Sequence, residues 1–301
     1  MKWSKSLSAV DIINALFWLV MVIFYLLTYE QSSFKREGLY LLGGLGLFMV
    51  LVIGVRSRPT NSVFAKVLLT LYPAIFLIFV FDSLHMVLPY INPNVYDEAL
   101  ANADFRLLGV HPTVWIERMI HPYLTEFMYY LYLFYFPMPL ILLGYLYKQK
   151  QFKALDHTIL FYFTVYYGSY LLYFLVPALG PKSYKPLVEL QKVPLEGLYF
   201  TDLIRNTINS LEHNKFDAFP SLHAAISLTT LIAVAKYRRK WLVFFVPVVI
   251  GIFISLIYCR YHYFVDIIGG VVWTLISYGL VEWFAGSKWS RRWVPFYEEK
   301  P

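Results

Sequence analysis

The sequence predicts an all-α polytopic membrane protein, and three observations carry that expectation. Of 301 residues, 59% are hydrophobic and only 15% charged, with a mean hydropathy of +0.55. Apolar runs long enough to cross about 30 Å of hydrocarbon recur along the chain, separated by short basic breaks. The dyad alternation of an outer-membrane barrel is absent. The net charge of +7 is spread over many loops, as expected for positive-inside topology and contact with anionic headgroups. No Lys/Arg run is long enough to argue for nucleic acid. A single cysteine, Cys259, excludes an internal disulfide framework.

About eight spans are expected, and each follows from its local sequence. Basic residues precede the first apolar run, 10–29, as in a secretory signal. That run is longer than a signal h-region and no small-residue cleavage site follows, so it reads as a retained span. The second span, 39–55, carries Gly43, Gly44 and Gly46, which permit close helix packing. The basic, helix-breaking stretch RSRPTN leads to a third span at 64–88, with Asp82 and His85 near its far end. Residues 89–123 form a long polar connection. Within it, Trp115, Ile116, Met119 and Ile120 recur at helical spacing opposite Glu117 and Arg118, which predicts an amphipathic interfacial segment near 105–122. Here His111 and His121 read as interface residues, and Asp104 and Arg106 as a local pair.

Span four, 127–147, is rich in tyrosine and interrupted by Pro137 and Pro139; span five covers 157–176. A second long loop, 177–219, holds Lys182, Lys185, Lys192, Arg205 and Lys215. Span six opens at Pro220 and Ser221 and ends before Lys236; spans seven and eight cover 241–258 and 265–285. With no internal repeat, the chain reads as one integral membrane domain: N-terminal spans in 1–90, a catalytic core in 91–285 and a basic tail in 286–301.

Lys and Arg gather on alternate connections. Lys2 and Lys5, Arg56 to Lys66, Lys148 to Lys153, Lys236 to Lys240 and the tail fall on one side, so both termini are expected in the cytoplasm. An even number of spans then places the starts of spans six and eight together on the opposite, periplasmic, extracellular or luminal side. Those starts are the stretches AFPSLHAA (218–225) and YCRYHYFVDIIGG (258–270), each setting a histidine where a polar loop meets an apolar run. Ionisable groups at such a boundary are costly and mark function. His262 and Asp266 are four apart, so one helical face is expected to hold both.

This constellation suits phosphoryl transfer. His262 attacks phosphorus, with Asp266 fixing its tautomer and stabilising the imidazolium that develops. His223 protonates the leaving alkoxide and later deprotonates the incoming hydroxyl, a role typically worth about a hundred- to ten-thousand-fold in rate. Ser221 offers a helix cap among free amides, while Lys182, Lys185 and Arg260 are candidate phosphate ligands. Taken singly, each has a plainer reading: His223 as an interfacial cap, Arg260 as a snorkelling side chain, Lys182 and Lys185 as solvated charges. The tyrosines Tyr129, Tyr130, Tyr132, Tyr135, Tyr162, Tyr166 and Tyr167 read as packing and interface anchors, some of them candidates to line a polar acceptor pocket.

PSLH together with H-x-x-x-D resembles the type-2 phosphatidic acid phosphatase superfamily, whose second motif is PSGH and whose third ends in His, three residues, Asp. Ser221 and His223 match the second motif, His262 and Asp266 the third. Leu222 stands in place of the motif glycine, Leu256 in place of the third motif's arginine, and GPKSYKP is only a loose counterpart of the first motif. FPSLH with HYFVD, GVHPTVW with HPYLTE, and LVPALGPK are similar to the inositol phosphorylceramide synthase branch, over roughly residues 100–275. The resemblance implies a six-helix core, no metal or other cofactor, a lipid phosphate substrate, and a phosphohistidine on His262 resolved by a lipid or polyol hydroxyl; the alternative is a simple lipid phosphate or polyprenyl (pyro)phosphate phosphatase that uses water. It also assigns His223 as acid/base and Asp266 as the orienting carboxylate.

Three other readings compete. A zinc site would use His223, His262 and Asp266. A serine hydrolase would use Ser221 and His223, although no GxSxG elbow is present. A lipid transporter or flippase would place the same ionisable groups along a path, although no inverted repeat or broken span pair supports it.

Overall fold

The first helix starts at a capping box: Ser8 Oγ accepts from Asp11 N–H at 3.2 Å and Asp11 Oδ2 from Ser8 N–H at 2.6 Å. The computed structural model describes residues 8–56, 63–211 and 214–286. The amino-terminal lysines, RSRPTN beyond its first arginine and nearly all of the 286–301 tail lie outside those residues.

Among the described residues the chain is helical, without strands. Three apolar helices come first: α1 (Ala9–Thr28), α2 (Lys35–Arg56) and α3 (Val63–Ser83). A 3-10 turn (Leu84–Met86) and α4 (Leu88–Ile91) follow. Next are α5 (Asp97–Leu108), α6 (Pro112–Trp115) with a 3-10 turn (Ile116–Met119), α7 (Pro122–Phe134), α8 (Pro137–Lys148) and α9 (Phe152–Leu175). The long loop holds α10 (Lys185–Leu190) and α11 (Thr201–Leu211). The chain closes with α12 (Leu222–Tyr237), α13 (Leu242–Tyr258) and α14 (Phe264–Gly286).

Among the described residues, five helices are long and apolar enough to cross a membrane: α1, α2, α9, α14, and α13 with the 3-10 turn before it. The pair α7 and α8, bent by 43° where Pro137 begins α8, passes the same test only when taken together, as a broken span or a re-entrant loop. Proline cannot donate its backbone N–H, so the bend lies where the sequence placed it. Of the eight expected spans, the other two rest on shorter apolar stretches, Leu71–Met86 and α12.

The helix α12 sits at the centre, packed against α8, α9, α13 and α14. Small residues make this possible: Ala224, Ala225, Ser227, Thr229 and Thr230 are all fully buried. Gly270 brings α14 so near the start of α12 that a Cβ there would lie 2.5 Å from Ser221 O. Large apolar side chains such as Leu27, Leu47 and Val243 face outward, as a lipid solvent requires. The helix α1 joins the core through Asn14, which accepts from Tyr167 O–H at 2.6 Å, and Phe17, stacked 4.5 Å from the Tyr167 ring.

The connection 89–123 departs from expectation. No single helix runs through Trp115–Ile120. Gly109, at φ +72°, ends α5, and the residues before Pro112 and Pro122 are extended, so the stretch breaks into α6 and a 3-10 turn. Glu117, expected on a solvated face, is largely buried and paired with Arg260. Asp104, expected to pair with Arg106, points inward to another helix.

Candidate active site

Three connecting segments meet beneath α5: a first loop at the start of the 177–219 connection, a second at its end, and a third between α13 and α14. Its buried face carries Asp97, Leu100, Ala101 and Asp104, one apolar stripe flanked by two acids. Leu100 and Ala101 pack with Ala178 and Leu187 of the first loop, Ala218 of the second and Tyr263 of the third. The loops are also stitched together by backbone: Ala218 N–H donates to Ala178 O at 3.1 Å and Ser221 N–H to Asp266 O at 2.9 Å. Gly180 is required at its position, since its φ is +84° and a Cβ would sit 2.5 Å from Tyr261 O.

The two histidines, 39 residues apart in sequence, meet at this junction: His262 Nε2 lies 3.4 Å from His223 Nδ1. The other ring nitrogen of His262, Nδ1, is 2.9 Å from Ala218 O. A carbonyl only accepts, so Nδ1 carries the proton and Nε2 presents its lone pair towards His223. Burial pushes His262 down from 6.5 to about 3, opposed by the Ala218 carbonyl and helped by the Lys182 charge. The ring is therefore neutral, the form a nucleophile needs.

Asp266 stands differently from the expected helical partnership. His262 precedes α14, in the turn closed by its own N–H and that of Tyr261 on Leu256 O. Asp266 Oδ2 is 3.4 Å from His262 Nδ1 and accepts from Tyr263 N–H at 2.8 Å. The Ala218 carbonyl is thus the nearer holder of the tautomer, and Asp266 braces the turn from behind the ring. Ser221 is the N-cap of α12, with Oγ accepting from Ala224 N–H at 3.3 Å.

Aromatic rings wall the pair. The ring of His223 lies 4.6 Å from that of Tyr132 and 4.4 Å from that of Tyr135, and Tyr132 stacks on Tyr261 at 4.6 Å. Behind Tyr135, its hydroxyl is 3.1 Å from that of Tyr166.

The candidate phosphate ligands separate. Lys182 Nζ lies 4.2 Å from the centre of the Tyr261 ring, and its charge acts on both imidazoles. Lys185 is exposed at the start of α10. Arg260, at φ +63°, gives one guanidinium nitrogen to Glu117 Oε1 and to Val193 O, each at 2.6 Å. Glu117 also accepts from Lys192 and Val193 N–H, so this ion pair ties the long loop to the third one. That tie uses one guanidinium nitrogen, while Nε is buried without a hydrogen-bond partner among the described residues; Lys182 is the basic side chain whose charge acts on both histidines.

Sequence reasoning missed three carboxylates. Asp104 caps α14, accepting from Phe264 and Val265 N–H at 2.9 Å each. Asp97 accepts from Leu179 N–H, Gly180 N–H and Tyr263 O–H, all at 2.8 Å. Glu126 gathers the amides of Leu198, Phe200 and Thr201 and the Thr201 hydroxyl at the start of α11. Acids at the i and i+7 positions of an otherwise apolar helix face were the available signal for the first two.

The arrangement also bears on the competing chemistries. His262 turns different nitrogens towards His223 and Asp266, so these side chains do not converge on one point. Among the described residues no cluster of three metal-ligating groups is present. Ser221 Oγ faces the Ala224 amide, the geometry of a cap.

A family profile described as PAP2 superfamily matches residues 98–280, more than half of the chain. A PA-phosphatase related-family protein of Dictyostelium discoideum is 28% identical over 135 residues, 42% of this chain. The match spans 24% of that relative's length. No solved structure matches.

Proposed function

The chain belongs to the PAP2 superfamily, and on that premise we propose that it is a membrane-embedded lipid phosphatase-type enzyme working through a phosphohistidine on His262. One observation carries the reading: two imidazoles face each other at 3.4 Å, with the proton of His262 held on the nitrogen away from His223.

The steps follow from that geometry. The gap between the ring nitrogens is too short for phosphorus, so a phosphate monoester enters beside the pair and displaces their contact. Lys182 and the amides at the start of α12 supply positive potential for its oxygens. His262 Nε2 bonds to phosphorus as the P–O bond of the lipid breaks. The phosphate's charge holds His223 as imidazolium, which gives its proton to the leaving alkoxide. The phosphorylated ring is cationic, and its Nδ1–H is stabilised by Ala218 O and by the Asp266 carboxylate behind it. Neutral His223 then takes the proton of an incoming hydroxyl, which attacks phosphorus and frees His262.

We propose a lipid or polyol alcohol as that acceptor, supported by the rings of Tyr132 and Tyr135 packed on a His223 that is only partly exposed. Incubating the purified protein with lipid bearing labelled phosphate, then quenching in base, should leave acid-labile label on the protein. Label should be absent from His262→Ala; label persisting in that variant would overturn the assignment. Adding inositol or diacylglycerol to the same reaction should divert label to a new ester. Free phosphate as sole product would make the enzyme a water-using phosphatase.

A further inference from the structure

The buried face of α5 contacts every loop that bears on the two histidines. Asp97 holds the two amides immediately before Pro181 and Lys182. Asp104 holds the two amides that open α14, directly after His262 and Tyr263. Both acids are 1% exposed. They are seven residues apart on one helix, which fixes their separation along the axis at about 10 Å. Between them, Leu100 and Ala101 fill a small core that all three loops share. Burial raises Asp104, and the Phe264 and Val265 amides oppose that rise, so its interaction with α14 is strongest in the ionised form.

We propose that α5 is the ruler of the site: Asp97 and Asp104 set the spacing between the Lys182 loop and the His262 turn, acting as positioning residues for phosphoryl transfer. A rigid helix suits this task. The two loops are far apart in sequence, and each would otherwise be free to shift by an ångström relative to the other. A carboxylate accepting two amides locks a backbone segment in both position and direction, which a single cap does not. The proposal rests on the phosphohistidine reading, and it predicts that the two acids affect different kinetic quantities.

The test compares Asp97→Asn, Asp97→Ala, Asp104→Asn and Asp104→Ala as full-length proteins in detergent, by turnover of a lipid phosphate and by orthovanadate binding. Asp97 variants should raise KM and weaken vanadate binding about tenfold, because the Lys182 charge moves away from the phosphate position. Asp104→Ala should lower kcat about a hundredfold with KM near wild type, the scale of a nucleophile misplaced by about 1 Å, and should weaken vanadate, which bonds to that nitrogen, by a similar factor. Asp104→Asn keeps one acceptor oxygen for the helix start and should recover most of kcat. If the alanine variants fail to fold, the asparagine pair still reads the split between KM and kcat. Variants that melt earlier but keep wild-type kcat, KM and vanadate affinity would overturn the proposal, as would the same change of kcat and KM in both pairs. A wild-type protein that binds vanadate but turns over no lipid phosphate would refute the reaction and leave the ruler to be judged on vanadate binding. Absence of both would end the two together.

Discussion

The last helix carries a histidine–carboxylate pair at each end, and the two are built in opposite ways. At its start, Asp266 lies 3.4 Å from His262, with side chains 0% and 6% exposed. Near its end, Glu282 lies 2.8 Å from His157, with 38% and 14% exposed, and also pairs with Lys236. The shorter contact is not the one expected to do chemistry. His157 and Glu282 join the ends of α9 and α14 through a partly solvated carboxylate that shares its charge with a lysine. His262 is fixed by a carbonyl on one nitrogen, faces a second imidazole with the other, and is walled from solvent. What sets the proposed nucleophile apart from His157 is a lone pair aimed at a second imidazole, not proximity to an acid.

That contrast can be broken by substitution. The largest effect is expected at His262→Ala, where phosphate release should fall by about four orders of magnitude or more, since no other group takes the nucleophile's place. His223→Ala should lose about a hundred- to ten-thousand-fold in kcat, the worth of the proton transfers it supplies. Residual turnover by His223→Ala should be increased by substrates with acidic leaving groups, which need no proton. Equal loss for such substrates would contradict the acid role.

A pH experiment sharpens the same comparison. The folded-state value of His262 is depressed to about 3 from 6.5. Between those values the unfolded chain binds a proton that the folded chain refuses. Stability from this group is therefore present above about pH 6.5 and is lost as pH falls, by up to about 1.4 kcal/mol per unit. Thermal melting of wild type between pH 6.5 and 4.5 should fall more steeply than that of His262→Gln. Parallel slopes would show that the ring is not sealed. The smallest effect is expected at the other end of α14. Glu282→Ala should leave turnover within about twofold and change stability by less than about 1 kcal/mol, as for other partly exposed pairs.

Much of this was legible in the sequence. The break in the fourth span was written in Pro137, and the two histidine motifs pointed to His223, His262 and Asp266, which the fold brings close together. Other parts were not legible. The Asp104 cap joins residues 160 and 161 apart, and Arg260 finds Glu117 across 143. No local pattern encodes which buried acid meets which distant amide. The segment around Trp115 misled because its helical periodicity was real over only a few residues, and the flanking Gly109, Pro112 and Pro122 prevailed.

Hydrophobic run length, basic loops and motif spacing are properties of neighbouring residues, so the sequence by itself determined an all-helical membrane protein with two histidines opening two spans at one end. Which carbonyl holds the His262 proton, which cation reaches the pair, and how α5 ties three loops together depend on contacts between distant segments. Only packing around α12 brings those segments within hydrogen-bond range, and that is where the tertiary structure decided the site.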